Sequence, residues 1–228
     1  MDSAPDLAVA SEASASEFAT VKLLRETERL RVFDFRAGPG ADVQVTHELP
    51  TVRWQILDGS EPTPMPEFFA AGSTGQRQGE RREFVFELLT EPRYTAEEVR
   101  ALLAAPTWPT EVGRTLMLEN EYCRMWDFRS STGPLDKNEF HQHCLDNAFV
   151  VIGEGHLNLY VPSDLNDPSK AEAVFRCPVN FVDGQVAWTP VGKGGYDEDG
   201  VTPKIPACLH SIDNACDDEF REYLIELK

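Results

Sequence analysis

The chain has 228 residues, 41% of them hydrophobic, which suffices for one large core or two small ones at the usual domain size of about 100 to 150 residues. Its 39 acidic residues outnumber 21 basic ones, for a net charge of -18, and such a surface repels phosphate backbones and anionic lipid heads. Nucleic acid and membrane surfaces are therefore not expected as partners. The five cysteines, at positions 123, 144, 177, 208 and 216, form no CxxC pair and lack the density of a stapled secreted scaffold, which reads as reduced thiols. The first residues carry no basic n-region, and no apolar run nears the roughly 20 residues that span a bilayer. A soluble protein of the cytoplasm is expected.

Residues 1–18 alternate Ala, Ser, Asp and Glu with almost no large apolar side chain, so burial cannot offset the entropy of ordering them. They read as a loose tail. From Val21 the chain turns to short alternating stretches such as Leu30-Arg-Val-Phe-Asp-Phe-Arg36, closed by Gly38-Pro-Gly40. Apolar residues at every second position predict strands. One segment has helical character, Thr95 to Ala105: Thr95 can cap, Glu98 completes a capping box, and Pro106 and Pro109 end the run. Later, Ala148-Phe-Val-Val-Ile152 predicts a buried strand, Gly153-Glu-Gly155 a turn, His156 to Val161 an alternating strand, and Glu222 to Leu227 the last one. Trp54, Trp126, Phe128, Phe149 and Trp188 fall on such strands, where core packing is their default role.

An internal repeat divides the chain. Leu23 to Gly40 lies on Leu116 to Gly133 without a gap, with Glu26/Glu119, Glu28/Glu121, Arg31/Arg124, Asp34/Asp127, Phe35/Phe128, Arg36/Arg129 and Gly40/Gly133 identical. Trp54 to Gly59 then matches Val150 to Gly155, and Glu83-Phe-Val-Phe-Glu-Leu88 matches Glu222-Tyr-Leu-Ile-Glu-Leu227. The second copy is longer between Gly155 and its last strand. Fixed-order self-similarity marks a duplicated β-unit. The expected division is a tail at 1–18, a first half at 19–92, a helical linker at 93–113 and a second half at 114–228.

Chemistry concentrates in the second half. In Glu139-Phe-His-Gln-His-Cys-Leu-Asp146, His141 and His143 are two apart and so share a strand face. Neutral imidazole ligates zinc, iron, copper and nickel. Two exposed surface histidines are the alternative, but the pair leads straight into the buried run at Ala148. His210, in Pro206-Ala-Cys-Leu-His-Ser-Ile-Asp-Asn214, offers a third imidazole that a barrel would bring beside the pair. In the first half the corresponding places hold Val45-Thr-His-Glu48 and Ala71, so His47 reads as structural and that half as lacking a site. His156 reads as a non-ligand. Cys144 and Cys208 lie beside proposed ligands, but as free cysteines they are expected to fill the interior.

These residues resemble the two motifs of the cupin superfamily, G(x)5HxH(x)3-4E(x)6G and PxG(x)2H(x)3N. Gly133, His141, His143 and Gly155 answer the first, and Pro206, His210 and Asn214 the second. The whole chain resembles a bicupin with a degenerate N-terminal half, which implies an all-β fold of tandem jelly-roll barrels joined by a short helix. It departs from the pattern in several places. The motif's glutamate position falls on Ala148, after Asp146 and Asn147, which leaves open whether a fourth ligand exists. Cys208 replaces the second glycine, and His210 follows Pro206 one residue early. Gly184 to Gly192 offers a competing register that would put Gly195 where the histidine belongs. The His210 register is preferred because it leads directly into the last strand and leaves Lys193 to Lys204 as a loop over the barrel mouth.

The resemblance implies one divalent transition metal on His141, His143 and His210. Fe(II) is favoured, and Zn(II), Mn(II), Ni(II) and Cu(II) are compatible with the same donors. Cupins serve many activities, and fold alone does not choose among them. The first expectation is a non-haem iron dioxygenase acting on a small organic substrate, because three-histidine cupin sites resemble those of thiol and diketone dioxygenases. The second is a lyase, decarboxylase or isomerase using the metal as Lewis acid, with Asp146, His156, Tyr160 or Tyr196 as candidate base. A non-enzymatic small-molecule-binding module is the third. A monomer or a homodimer is expected.

Overall fold

The computed structural model describes residues 19–57, 64–131, 140–192 and 204–228. The expected tail lies outside them, as do Gly195, Tyr196 and the rest of residues 193–203, where a loop over the barrel mouth was expected. The chain divides into two compact units, Met1–Thr90 and Glu91–Lys228. Among the described residues no helix is long and apolar enough to cross a membrane.

Unit 1 contains β1 (Ala19–Glu26), β2 (Leu30–Ala37), β3 (Asp42–Thr46), β4 (Thr51–Ile56), β5 (Glu67–Phe69), β6 (Thr74–Gln78) and β7 (Arg81–Leu88). They form a five-stranded antiparallel sheet, β1-β2-β7-β4-β5, and a separate pair, β3-β6. Unit 2 begins with α1 (Ala96–Ala104), then β8 (Thr115–Glu119), β9 (Cys123–Ser130), β10 (His141–Gln142), β11 (Asp146–Ile152), β12 (Gly155–Pro162), β13 (Ala173–Phe181), β14 (Val186–Thr189), β15 (Leu209–Asn214) and β16 (Phe220–Leu227). Its sheets run β14-β11-β16-β9-β8 and β10-β15-β12-β13.

The repeat reappears in the strand pairing. The final strand of each unit lies between its second and fourth sheet partners in the same register: Glu83 faces Phe35 and Gln55, and Glu222 faces Phe128 and Val151. The extra length of the second copy includes the β12-β13 hairpin, which widens its second sheet to four strands. Both faces of the longer sheets are buried, with Val32, Trp54, Phe84 and Phe86 on one face of unit 1 and Phe33, Phe35 and Val85 on the other. The apolar positions therefore run almost unbroken along β2 and β7, where simple alternation predicts one wet face.

Thr95 caps α1 as expected: Glu98 N–H donates to its hydroxyl at 3.3 Å, and the Thr95 N–H donates to the Glu98 carboxylate at 2.8 Å. The helix and its flanks belong to unit 2. Arg93 N–H donates to the Lys228 carbonyl, the Trp108 indole donates to the Leu165 carbonyl at 2.9 Å, and Val112 packs with Trp126 and Leu224. The turn before β12 uses Gly153 at φ +83°, a conformation that costs a residue with a Cβ. Gly155 is required for a different reason: a Cβ there would lie 2.2 Å from the Phe220 ring, which fills the core with Phe128, Val151 and Leu157.

Candidate functional site

Three imidazoles converge inside unit 2. β10 pairs with β15 so that His141 stands directly opposite His210. Beyond the two residues of β10, His143 N–H still donates to the Cys208 carbonyl at 2.8 Å, which keeps its ring on the face of His141. Gln142 N–H donates to Pro109 O at 2.7 Å and anchors the short strand from behind. The ring centroids form a near-regular triangle, 5.1 Å from His141 to His143, 4.8 Å from His141 to His210 and 5.2 Å from His143 to His210. One ring nitrogen from each residue lies within 4.8 Å of the others, which is a geometry able to hold a single ion.

The surroundings disfavour the charged form of His143 and His210. Burial, then the charges His141 and His210 would carry, hold His143 well below the usual imidazole range. Burial likewise lowers His210, against the opposing pull of the Pro206 carbonyl. That carbonyl lies 2.7 Å from His210 Nδ1 and accepts its hydrogen bond, so the ring presents the lone pair of Nε2. The Nδ1 of His143 is buried with no hydrogen-bond partner among the described residues. Such an atom carries a desolvation cost that a coordinated cation removes.

The histidines open on a cavity of about 300 Å³ between the two sheets. Phe128, Phe149, Phe181, Leu157, Ile212 and Leu224 give it apolar walls, and its polar groups are Asn147, Thr189, Glu222 and the histidines. Those walls follow from strand alternation. On β16, Phe220, Glu222 and Leu224 point inward while Tyr223 and Ile225 fill the opposite face.

The other candidates separate cleanly. Asp146 accepts from Arg93 at 2.8 Å and from the Val191 backbone N–H at 2.8 Å, so it ties β11 to its neighbours and is not a base in the cavity. The inward residue beside the histidines is Asn147, which donates to the Leu145 carbonyl at 3.2 Å. His156 and Tyr160 lie on the face of β12 opposite the cavity-lining Leu157 and Leu159; His156 bonds Asn180, and the Tyr160 hydroxyl donates to Asp213 at 2.8 Å. Neither is placed to act as base. Cys144 and Cys208 are wholly buried, and burial pushes the Cys144 thiol up to about 12, so it stays protonated.

Sequence reasoning passed over Glu222. It lines the cavity with the histidines, makes no side-chain hydrogen bond or ion pair among the described residues, and is pushed up to about 8 by burial alone. Its signal was present in the repeat, since Glu83 and Glu222 are matched, and in the period-two pattern that puts Glu222 on the face of Leu224. A strand-end glutamate reads by default as exposed, and that default hid it.

In unit 1 the corresponding interior is filled. His47 is buried and stacks on Phe69 with ring centroids 4.6 Å apart; burial, then Arg77 and Arg53, lower its pKa to about 4. Ala71 lies in an exposed turn before β6, whose buried positions are Gly75 and Arg77. The barrel carries an Arg53–Glu83–Arg77 ionic core in place of a triad of donors.

No protein-family model matches the chain, and no curated protein matches it. Among solved structures it is similar to AerE from Microcystis aeruginosa, with a TM-score of 0.50 and 8% identity over 95% of each chain. The fold is of the expected all-β class, with two units of antiparallel sheets and, among the described residues, one helix. Also similar are a cupin 2 conserved barrel domain protein from Leptotrichia buccalis, at TM-score 0.39 and 10% identity over 95% of this chain and 92% of that one, and a Bacillus subtilis oxalate decarboxylase variant, at TM-score 0.45 and 14% identity over 91% and 72%. Within unit 2, strand pairing brings together His141, His143 and His210, the three histidines that the sequence singled out.

Proposed function

We propose that His141, His143 and His210 hold one divalent transition-metal ion, and that the protein is a metal-dependent bicupin enzyme whose second barrel alone is active. The observation that carries this reading is the convergence of three imidazoles on a largely apolar cavity. Three neutral donors leave the charge of a dication uncompensated and leave coordination positions open, unlike a closed structural site. The complementary ligand is a small, mainly apolar molecule with a chelating, anionic oxygen pair. The phenylalanines grip its body and exclude water, and Asn147 and Thr189 are the polar groups that can orient it.

When bound, the metal supplies Lewis acidity and, if it is Fe(II), one-electron chemistry toward dioxygen. The carboxylate-free donor set supports a non-haem iron dioxygenase, our first reading of the activity. The presence of Glu222 in the same cavity favours a second, an isomerase, lyase or decarboxylase that moves a proton.

Elemental analysis of the wild type beside the His141→Ala/His143→Ala double variant tests the metal. About one equivalent is expected in the wild type and less than a tenth of that in the variant. Oxygen uptake on small diketones and thiols with the Fe(II)-loaded protein then separates the activities. Turnover that consumes no oxygen and persists with zinc would replace the first reading by the second.

A further inference from the structure

We propose that Glu222 is the acid–base group of the second barrel, a carboxyl that exchanges a proton with the small molecule held against the three histidines. This deepens the function proposed above and rests on it. Geometry makes the case. Glu222 stands inward on β16 with Phe128 and Val151 directly across in the two flanking strands, and it lines the cavity that His141, His143 and His210 also line.

A buried carboxyl is ordinarily satisfied by a cation or by hydrogen-bond donors. Glu226 shows the ordinary case four residues further along the same strand face: it accepts from Arg124 at 3.0 Å and from the Trp126 indole at 2.8 Å. Glu222 has neither. Its open hydrogen-bonding capacity faces the space a ligand would occupy, and burial keeps it protonated near neutral pH, so it enters the encounter as a donor.

The exchange balances within the pair. The Glu222 O–H bond breaks as a bond to hydrogen forms at a basic oxygen or carbon of the ligand, and the electron pair of the broken bond stays on the carboxylate. The reverse transfer restores the acid. The groups that face Glu222 are Phe128 from β9, Val151 from β11, Glu226 with its partner Arg124 beyond Leu224, and the three histidines across the cavity. None of the flanking side chains competes for its proton.

The test uses the full chain loaded with Zn(II) and the chelating probe benzohydroxamate. Wild type, Glu222→Gln and Glu222→Asp are analysed for metal, and probe affinity is then measured calorimetrically from pH 6 to 9. The expected result is equal metal content in all three, with an ionisation that changes wild-type affinity about tenfold across the range, is missing from Glu222→Gln and is regained, with a shifted midpoint, in Glu222→Asp. Superimposable wild-type and Glu222→Gln profiles would overturn the proposal. So would loss of metal in Glu222→Gln, since it would make Glu222 part of the metal site. Loss of metal from the wild type would instead refute the metal reading itself. If Glu222→Gln fails to fold, the midpoint in Glu222→Asp decides, and an unchanged midpoint counts against the proposal.

Discussion

Glu83 and Glu222 occupy one position of a repeated barrel and are in opposite charge states. In unit 1, Arg53 forks onto both oxygens of Glu83, its Nε and Nη2 each 3.1 Å away, and Arg77 and Arg81 approach to 3.0 Å. Burial works to raise that carboxyl, but the hydrogen bonds from Arg53 and the charge of Arg77 outweigh it and leave it below the usual carboxylate range. Arg77 also lies over Phe35, 4.1 Å from the ring centroid, where the equivalent Phe128 of unit 2 borders open space. One barrel fills its interior with ions and the other leaves it hollow. The protonation of a repeated position is thus set by what the neighbouring strands bring to it, arginines in one case and apolar walls in the other.

The largest effect expected from this contrast is on stability. Glu83→Gln strands Arg53 and Arg77 in a buried site without an anion and should cost roughly 3 to 5 kcal/mol in chemical denaturation. Glu222→Gln replaces a neutral acid by a neutral amide and should cost less than about 1 kcal/mol at pH 6. Comparable losses in both would break the comparison.

The next effect is a slope. In the metal-free protein, folding must keep Glu222 protonated between the usual carboxylate range and about 8, while the unfolded chain ionises there. The folded state binds the extra proton, so stability falls as pH rises, by roughly 1.4 kcal/mol per pH unit for one such group. Glu226, pushed by burial to about 7, adds to the lower part of that window. Glu222→Gln should therefore flatten denaturation midpoints between pH 7 and 8, and an unchanged slope would count against a neutral Glu222. Glu83 acts with the opposite sign, its contribution being present above the usual carboxylate range and lost as pH falls through its lowered value.

The smallest effect supplies a yardstick outside both interiors. Thr95→Ala removes the cap of α1 and should cost about 1 kcal/mol in thermal unfolding. Unlike the Glu222 effect, this loss should be the same at pH 6 and pH 8.

Much of this was legible beforehand because it was local or repeated. The strand β2, the cap at Thr95 and the His141/His143 pair follow from periodicity and spacing, and the motif spacing anticipated His210. What could not be read was which face of a strand a polar residue takes. Asp146 was weighed as a ligand or base, and its partners, Arg93 and the Val191 amide, come from distant segments. Tyr160 and Glu222 are both polar residues in alternating strands, and only the register of each strand in the finished sheets sends one outward and the other in. The ionic core of unit 1 was hidden for the same reason, since Arg53, Arg77 and Glu83 come from three strands.

The pairing of β10 with β15 is only two residues long, the weakest ladder in the second barrel's site, and it is where His141 and His210 face each other. An ion held by both would cross-link segments far apart in sequence at the point where backbone bonding is scarcest. Like a covalent staple, it would reduce the freedom of the unfolded chain as well as strengthen the folded one. Occupancy of the site and closure of the barrel would then become a single equilibrium, in which an ion that equipped the cavity for chemistry would also hold its rim shut.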